Sequence, residues 1–353
     1  MTHGVANLPA MHAEMRRAPE IVRPSAFWQK LCDEHAQALD LAGFESFKWT
    51  VNDYYFQWRV ASRSSPSYRA AVREFRRRPH PAIMWARVED AKMSWLQDAG
   101  VPLPDGDPGD VPPGTARARL YARYVAMLWE IAGGQDVPGL EEPEVGRPLI
   151  VRHRGRRITQ DLANSLIETR AILDSFPPGA LDGGLAIDLG GGYGRLTWML
   201  MRLAPGLRVI AVDIPPALAV AEEYLLRVLP GRRIVPFAAA ADGAELTARI
   251  AGADLAFLTP NQLMQLEPLD ADLLVNVSSL HEMRPEQIDH YLREADRHVE
   301  GYVYTKQWVR WFNHADGIET RQDSYPYPER WGRVFERDVA LQPDFFEALF
   351  RTR

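Results

Sequence analysis

The stretch that most restricts this chain is Ala186–Thr197, read as Ala-Ile-Asp-Leu-Gly-Gly-Gly-Tyr-Gly-Arg-Leu-Thr. An apolar run carrying one acid (Leu185, Ala186, Ile187, Asp188, Leu189) meets four glycines, Gly190, Gly191, Gly192 and Gly194. A helical pattern follows, with Leu196, Met199, Leu200 and Leu203 spaced for one face. Strand, tight loop and helix in that order make the first unit of a parallel α/β sheet. Glycines at such a turn let the backbone bend sharply and approach a ligand with no Cβ in the way.

The pattern is Asp-x-Gly-x-Gly-x-Gly. The dinucleotide fingerprint Gly-x-Gly-x-x-Gly fits less well, because its third glycine position holds Arg195. A pyrophosphate suits bare N–H groups at a helix start. S-adenosylmethionine (SAM) has no phosphate, and its ammonium and sulfonium match a carboxylate such as Asp188. A second acid supports an adenosyl ligand. Leu207–Val212 is a short apolar strand ending at Asp213, 19 residues after Gly194. A carboxylate at the end of a second parallel strand can accept both ribose hydroxyls. NAD enzymes use the same device, so Asp213 points to a nucleoside more firmly than to SAM.

The rest of the composition bounds the class. With 353 residues, the chain has room for two domains. A net charge of −6 argues against nucleic acid as the main partner. No apolar run reaches the ~18 residues of a membrane span. Met1–Pro9 has no basic start followed by a long apolar core, and the single cysteine, Cys32, excludes an internal disulfide framework. The expected compartment is the reducing cytoplasm, the expected partner a small-molecule acceptor. A homo-oligomer is left open.

Residues 1–150 read as a mainly helical region serving as lid, substrate-binding or oligomerisation part, and 151–353 as the nucleoside-binding α/β domain. Residues 1–24 look like an arm broken by prolines. Ser25 caps a helix to about Leu41. Phe44–Val60 is aromatic, including Tyr54, Tyr55, Phe56 and Trp58, and reads as core or pocket wall. Helices are expected over Pro66–Arg78 and Ala82–Gln97, a loop over Gly100–Gly114, and a Thr115-capped helix to about Ile131. Arg152, Arg154, Arg156 and Arg157 with His153 form a basic run, either a solvated loop or an anion site, with Arg152, Arg154 and Arg157 as substrate ligands. A helix capped by Thr159, Gln160–Ser175, carries Glu168 and would cross the mouth of the cofactor site. Asp254–Leu258 is preferred over Arg233–Phe237 as the third strand, so that Thr259 and Asn261 pack around an adenine. Ala271–Val277 is a buried strand whose carboxyl end carries Asn276, His281 and Glu282, where open α/β sheets bind ligands.

Four stretches together resemble the sugar O-methyltransferase family, SAM-dependent enzymes of antibiotic and polysaccharide gene clusters typified by one from a nanchangmycin pathway. They are Ile158–Ser165, Asp188–Leu196, Val212–Pro215 and Asn276–Met283, with weaker echoes at Lys306-Gln307 and Tyr325–Trp331. The similarity covers roughly residues 150–353. It implies a Rossmann-like class I methyltransferase sheet, SAM as donor, and Asp188, Gly190, Gly192 and Asp213 at the cofactor. Gln160, Gly191, Gly194, Ile214, Thr259, Asn261 and Asn276 complete the expected cofactor set. His281 departs from the family pattern, which usually has glutamine there.

Methyl transfer from a sulfonium is an in-line displacement that needs a placed nucleophile and a dry site. A sugar hydroxyl also needs a general base, for which Glu168, His281 and Glu282 are the candidates. The alternative acceptor is a prenyl diphosphate such as geranyl diphosphate. It would be C-methylated through a carbocation held by aromatic faces, with a basic or Mg²⁺-assisted diphosphate clamp and a Glu base. No metal-ligand set is read from the residues. From another class, an NAD(P)-dependent oxidoreductase or a non-catalytic nucleoside-binding protein shares the glycine loop.

Overall fold

A computed structural model describes residues 5–51, 62–77, 86–89, 113–240 and 242–353. The expectations for Tyr54, Tyr55, Phe56 and Trp58, and most of the helix and loop expected over 82–114, fall outside the described residues. The chain divides into two compact units. One is 35–173 with Ala340–Pro343, and the other is Val5–Glu34 with Asp174–Val339 and Asp344–Arg353. The residues 151–173, grouped by sequence with the glycine loop, are in the first unit.

The first unit is built on helices Pro66–Arg77, Ala116–Ile131 and Gln160–Leu173 and a small antiparallel sheet of β1 (Ala86–Val88), β2 (Val151–His153) and β3 (Arg156–Ile158). Thr115 caps its helix through the Ala118 N–H (3.1 Å), and Thr159 caps the next through the Leu162 N–H (2.9 Å). Two expectations change here. Ala86–Val88 is a strand where a helix was expected, because it pairs with β2 across a long sequence gap that local periodicity cannot register. The basic run is a β-hairpin. Arg154 (φ 48) and Gly155 (φ 79) make the two-residue turn with both φ positive that matches strand twist.

The second unit holds an eight-stranded sheet among the described residues. Its strands are β4 (Leu185–Leu189), β5 (Arg208–Val212), β6 (Ile234–Val235), β7 (Leu255–Leu258), β8 (Ala271–Val277), β9 (Val299–Trp308), β12 (Gly332–Asp338) and β13 (Phe345–Arg351). A separate ribbon joins β10 (Arg310–Asn313) to β11 (Ile318–Arg321). The order is β12-β13-β9-β8-β4-β5-β7-β6. Strands β6, β7, β5, β4, β8 and β9 run parallel, and β13 is antiparallel to both β9 and β12. This is the parallel α/β sheet expected from the glycine turn, in the Rossmann-like form the resemblance implies, with β7 as the third strand and β6 as an added edge. Strands β4, β5 and β7 are almost wholly buried, which explains their unbroken apolar reading.

The strand order reverses at β4, between β5 and β8, so the crevice at the carboxyl ends opens beside the glycine loop. The expected arm is a packed helix, Leu8–Arg17. Met15, Ala18 and Val22 join the core cluster of Ile187, Leu189, Val212 and Leu258. The spacing of Met11 and Met15, one helical turn apart, was the available signal. Ser25 Oγ accepts from the Trp28 N–H at 3.3 Å and starts the helix Ala26–Ala42, as expected.

Candidate active site

The glycine turn is held from two sides. The Gly190 N–H donates to the Val212 carbonyl at the end of β5 (2.8 Å), and the Gly192 N–H donates to Asp213 Oδ2 (2.7 Å). Asp213 Oδ1 accepts from the Ile214 N–H (2.7 Å). On the other side, Ser279 follows β8 and presses on the loop. Gly190 has φ +73, and a Cβ there would lie 2.3 Å from Ser279 Oγ. We expect Gly190→Ala to lower S-adenosylhomocysteine affinity at least tenfold in calorimetry. Left-handed strain of about 1–2 kcal/mol adds to the displacement of Ser279. Wild-type affinity would remove the loop from the binding site.

Asp188 is buried, and its Oδ2 accepts from the Thr197 hydroxyl (2.6 Å), tying β4 to the following helix. Its direct task is to brace the turn, and its charge acts across the site. Asp213 is half-buried, and its carboxyl is pushed up to about 7. Burial is the main cause, opposed by the Gly192 and Ile214 N–H groups, and the Asp188 and Glu282 charges raise it further. The Asp188 and Glu282 charges therefore both act on Asp213 beside the glycine turn. The N-terminal segment reaches the same edge. Burial, with help from the Asp213 and Asp33 charges, pushes the Cys32 thiol up to about 12. Asn261 Nδ2 donates to Glu14 Oε1 (2.6 Å), so the residue expected at an adenine is engaged by the helix Leu8–Arg17. Thr259 spends its hydroxyl on a capping box with Gln262, which leaves Thr259 a backbone role at the end of β7.

The carboxyl end of β8 holds the second cluster. Asn276 Nδ2 donates to the Leu189 carbonyl (2.8 Å) and to Ser279 Oγ (2.6 Å), linking β8 to the glycine turn. Ser278 sits at φ +59, a left-handed conformation for a non-glycine residue where strand turns to loop. His281 is buried, and its Nδ1 lies 3.0 Å from Gln307 Oε1. Its Nε2 has no hydrogen-bond partner and stands 3.6 Å from Glu282 Oε1. Trp308 and Trp311 flank the imidazole at centroid distances of 6.3 and 5.3 Å, and Phe27 from the N-terminal segment meets Trp311 at 6.3 Å. Trp311 Nε1 and the Tyr325 hydroxyl are also buried without hydrogen-bond partners. Tyr325 lies close enough to Glu282 for the carboxylate charge to raise its phenol pKa, although burial is the larger cause. Gln307, Trp308, Trp311, Tyr325, Ser279 and the N-terminal segment escaped the sequence reading as site residues. Ser279 lay within the stretch Asn276–Met283 without being singled out, and the weak echoes at Lys306-Gln307 and Tyr325–Trp331 touched Gln307 and Tyr325.

The structure brings Asp188, Gly190, Gly191, Gly192, Gly194, Asp213, Ile214, Asn276, His281 and Glu282 together in one unit. Gln160, Glu168 and the arginines belong to the other. Gln160 and Glu168 are buried on their helix. Arg152 pairs with Glu89, Arg154 with Glu130 (3.1 Å) and Arg157 with Glu144, while Arg156 donates to the carbonyls of Gln135, Val137 and Leu140. The run expected as a diphosphate or sugar-nucleotide clamp is thus charge-compensated, and an anion would have to displace carboxylates already in place. Among the described residues, no group of three or more His, Cys, Asp or Glu side chains could hold a metal ion, and no helix is long and apolar enough to cross a membrane.

No protein-family model and no curated protein matches the chain. Among solved structures, a protein from Pyrococcus horikoshii OT3 aligns over 55% of this chain and 92% of its own, with 14% identity and a TM-score of 0.39. A SAM-dependent methyltransferase from Leishmania major aligns over 53% and 71%, with 17% identity and a TM-score of 0.36. A geranyl diphosphate methyltransferase in complex with geranyl diphosphate and sinefungin aligns over 54% and 79%, with 12% identity and a TM-score of 0.38. At these distances, what the site does rests on its own residues.

Proposed function

We propose that this chain is a SAM-dependent methyltransferase that O-methylates a small, oxygen-rich acceptor, a sugar or sugar-like ring. The observation that carries the reading is the pair of acids flanking the glycine turn: Asp188 is buried at its start, and Asp213 Oδ2 accepts from the Gly192 N–H at 2.7 Å, with burial as the main cause of its raised carboxyl pKa. Raising a carboxyl from 3.8 to about 7 disfavours its ionised form by on the order of 4 kcal/mol. A ligand bearing a sulfonium and an ammonium offsets that cost. A dinucleotide pyrophosphate would add negative charge to it, which sets the oxidoreductase reading aside, as does Arg195 at the third-glycine position.

In the reaction the acceptor O–H bond breaks and its proton passes to His281 Nε2. The oxygen pair forms the bond to the methyl carbon. The carbon–sulfur bond breaks, and its electrons return to sulfur, leaving the neutral thioether. Glu282, at 3.6 Å from Nε2, balances the imidazolium that results. Trp308 and Trp311 supply dry walls for a ring, and the unpartnered Trp311 N–H and Tyr325 hydroxyl can donate to acceptor oxygens. The aromatic walls also favour a second reading, C-methylation of a prenyl diphosphate through a carbocation. The internal pairing of Arg152, Arg154 and Arg157 and the two orphan donors weigh against a hydrocarbon chain with a diphosphate head.

An acceptor screen read by mass spectrometry tests the choice: sugars and nucleotide sugars against prenyl diphosphates, each with and without Mg²⁺. Methylated sugars support the first reading. Mg²⁺-dependent gain of a carbon on a prenyl diphosphate replaces it with the second. The cofactor itself is tested by pH. Cation binding favours ionised Asp213, so protons leave the carboxyl as SAM binds. SAM affinity should rise about tenfold from pH 6 to pH 8, the change in the ionised fraction of a group near 7. Asp213→Asn should flatten the rise. Calorimetry in two buffers of different ionisation enthalpy reads the released proton directly.

A further inference from the structure

The hydrogen bonds behind His281 determine which of its nitrogens is the base, and the reasoning runs outward from backbone groups whose roles are unambiguous. The Leu280 N–H can only donate, and it meets Asn276 Oδ1 at 3.3 Å. The Leu189 carbonyl can only accept, and it meets Asn276 Nδ2 at 2.8 Å. The Asn276 amide therefore has one orientation. Gln307 is then constrained at both ends. Its Nε2 lies 2.6 Å from Asn276 Oδ1, 3.3 Å from the Asn276 carbonyl and 2.9 Å from Thr305 Oγ1, a set that requires a donor. Its Oε1 faces the His281 backbone N–H at 3.3 Å, which requires an acceptor. That same Oε1 is 3.0 Å from His281 Nδ1. An amide oxygen cannot donate, so Nδ1 must carry the proton. In the neutral ring, the lone pair is left on Nε2, the buried nitrogen without a hydrogen-bond partner.

We propose that Gln307, anchored by Asn276, is a positioning residue that holds His281 in the Nδ1–H tautomer and presents Nε2 as the proton acceptor. The assignment rests on the methyl-transfer reading for its purpose, but the tautomer follows from the hydrogen bonds alone. The arrangement also couples base to cofactor loop. Asn276 bonds the Leu189 carbonyl and Ser279 Oγ on one side and Gln307 on the other. A proton taken at Nε2 arrives opposite Glu282, while Nδ1–H keeps its bond to Gln307 and the ring does not rotate.

The test is nitrogen NMR of the full chain with ¹⁵N-labelled histidine, with His281→Gln used to assign the signals. The expected spectrum shows a protonated Nδ1 and a bare Nε2 for neutral His281. A protonated Nε2 in the wild-type protein overturns the proposal, whether or not any acceptor is methylated. Two variants separate positioning from mere support. Gln307→Leu removes the acceptor and should release the tautomer, lowering kcat tenfold to a hundredfold with S-adenosylhomocysteine affinity within about twofold of wild type. Gln307→Glu keeps an acceptor toward Nδ1 but gives up the donor toward Asn276, and should retain the tautomer. Loss of the Nδ1–H form in Gln307→Glu, or its persistence in Gln307→Leu, counts against the assignment. Loss of cofactor binding in the wild type would defeat the methyl-transfer reading and leave the tautomer result standing.

Discussion

Replacing His281 with alanine is expected to lower turnover by about 10²–10⁴-fold while S-adenosylhomocysteine still binds. The size follows from the chemistry. A neutral hydroxyl is a weak nucleophile, and in-line attack on the methyl carbon develops positive charge on its oxygen unless a base removes the proton. His281 Nε2 is buried beside Glu282, so a proton passed to it would be held away from bulk water. Survival of cofactor binding follows from the connections of the imidazole. Its contacts are Gln307, Glu282, Trp308 and Trp311, whereas the glycine turn is held by Val212, Asp213, Asn276 and Ser279. Single-turnover methyl transfer and calorimetry on the same preparation check both halves. Wild-type turnover in His281→Ala would leave Glu282 as the base to test, with Glu282→Gln as the next variant. Full turnover in both would remove this cluster from the chemistry.

Loss of the carboxylate in Asp213→Ala is expected to weaken SAM binding by about 10- to 100-fold, the value of charge-assisted hydrogen bonds to a ribose diol of roughly 1.5–3 kcal/mol. Two contributions can be separated. Ribose acceptance is the same for SAM and for S-adenosylhomocysteine, but attraction to the sulfonium applies to SAM alone. Asp213→Asn keeps an acceptor and loses the charge, so it should reduce the preference for SAM more than the shared affinity. The mutation also frees the Gly192 N–H, which Asp213 Oδ2 holds at 2.7 Å, so some loosening of the turn is included in the effect. Undiminished affinity in Asp213→Ala would show that the nucleoside lies elsewhere.

Much of the second unit was legible because its signals are local. The glycine turn, the strand runs on either side of it, the preferred third strand and the helix cap at Ser25 are all set by residues within a few positions of one another, as are the caps at Thr115 and Thr159 in the first unit. Parallel strands buried on both faces must be apolar throughout, and a backbone that bends at positive φ must use glycine, so these elements announce themselves. The basic hairpin shows where such reading stops. Its charge was plain, but its neutralising partners, Glu89, Glu130 and Glu144, are scattered along the chain. The prolines of the N-terminal segment read locally as an arm. The segment's burial depends on Met15, Ala18 and Val22 meeting a sheet more than 150 residues away.

By itself the order of residues determined a carboxylate-flanked glycine bend, a second acid at the next strand end and a titratable cluster after β8, since each is a matter of short-range spacing. Only the tertiary structure decided what those groups do to one another. It brought the charges of Asp188 and Glu282 within reach of Asp213 and set Gln307, 26 residues from His281, against the imidazole. It also tied up the arginines. Electrostatic and hydrogen-bond energies depend on distance in space, and the fold alone sets that distance for residues far apart in the chain.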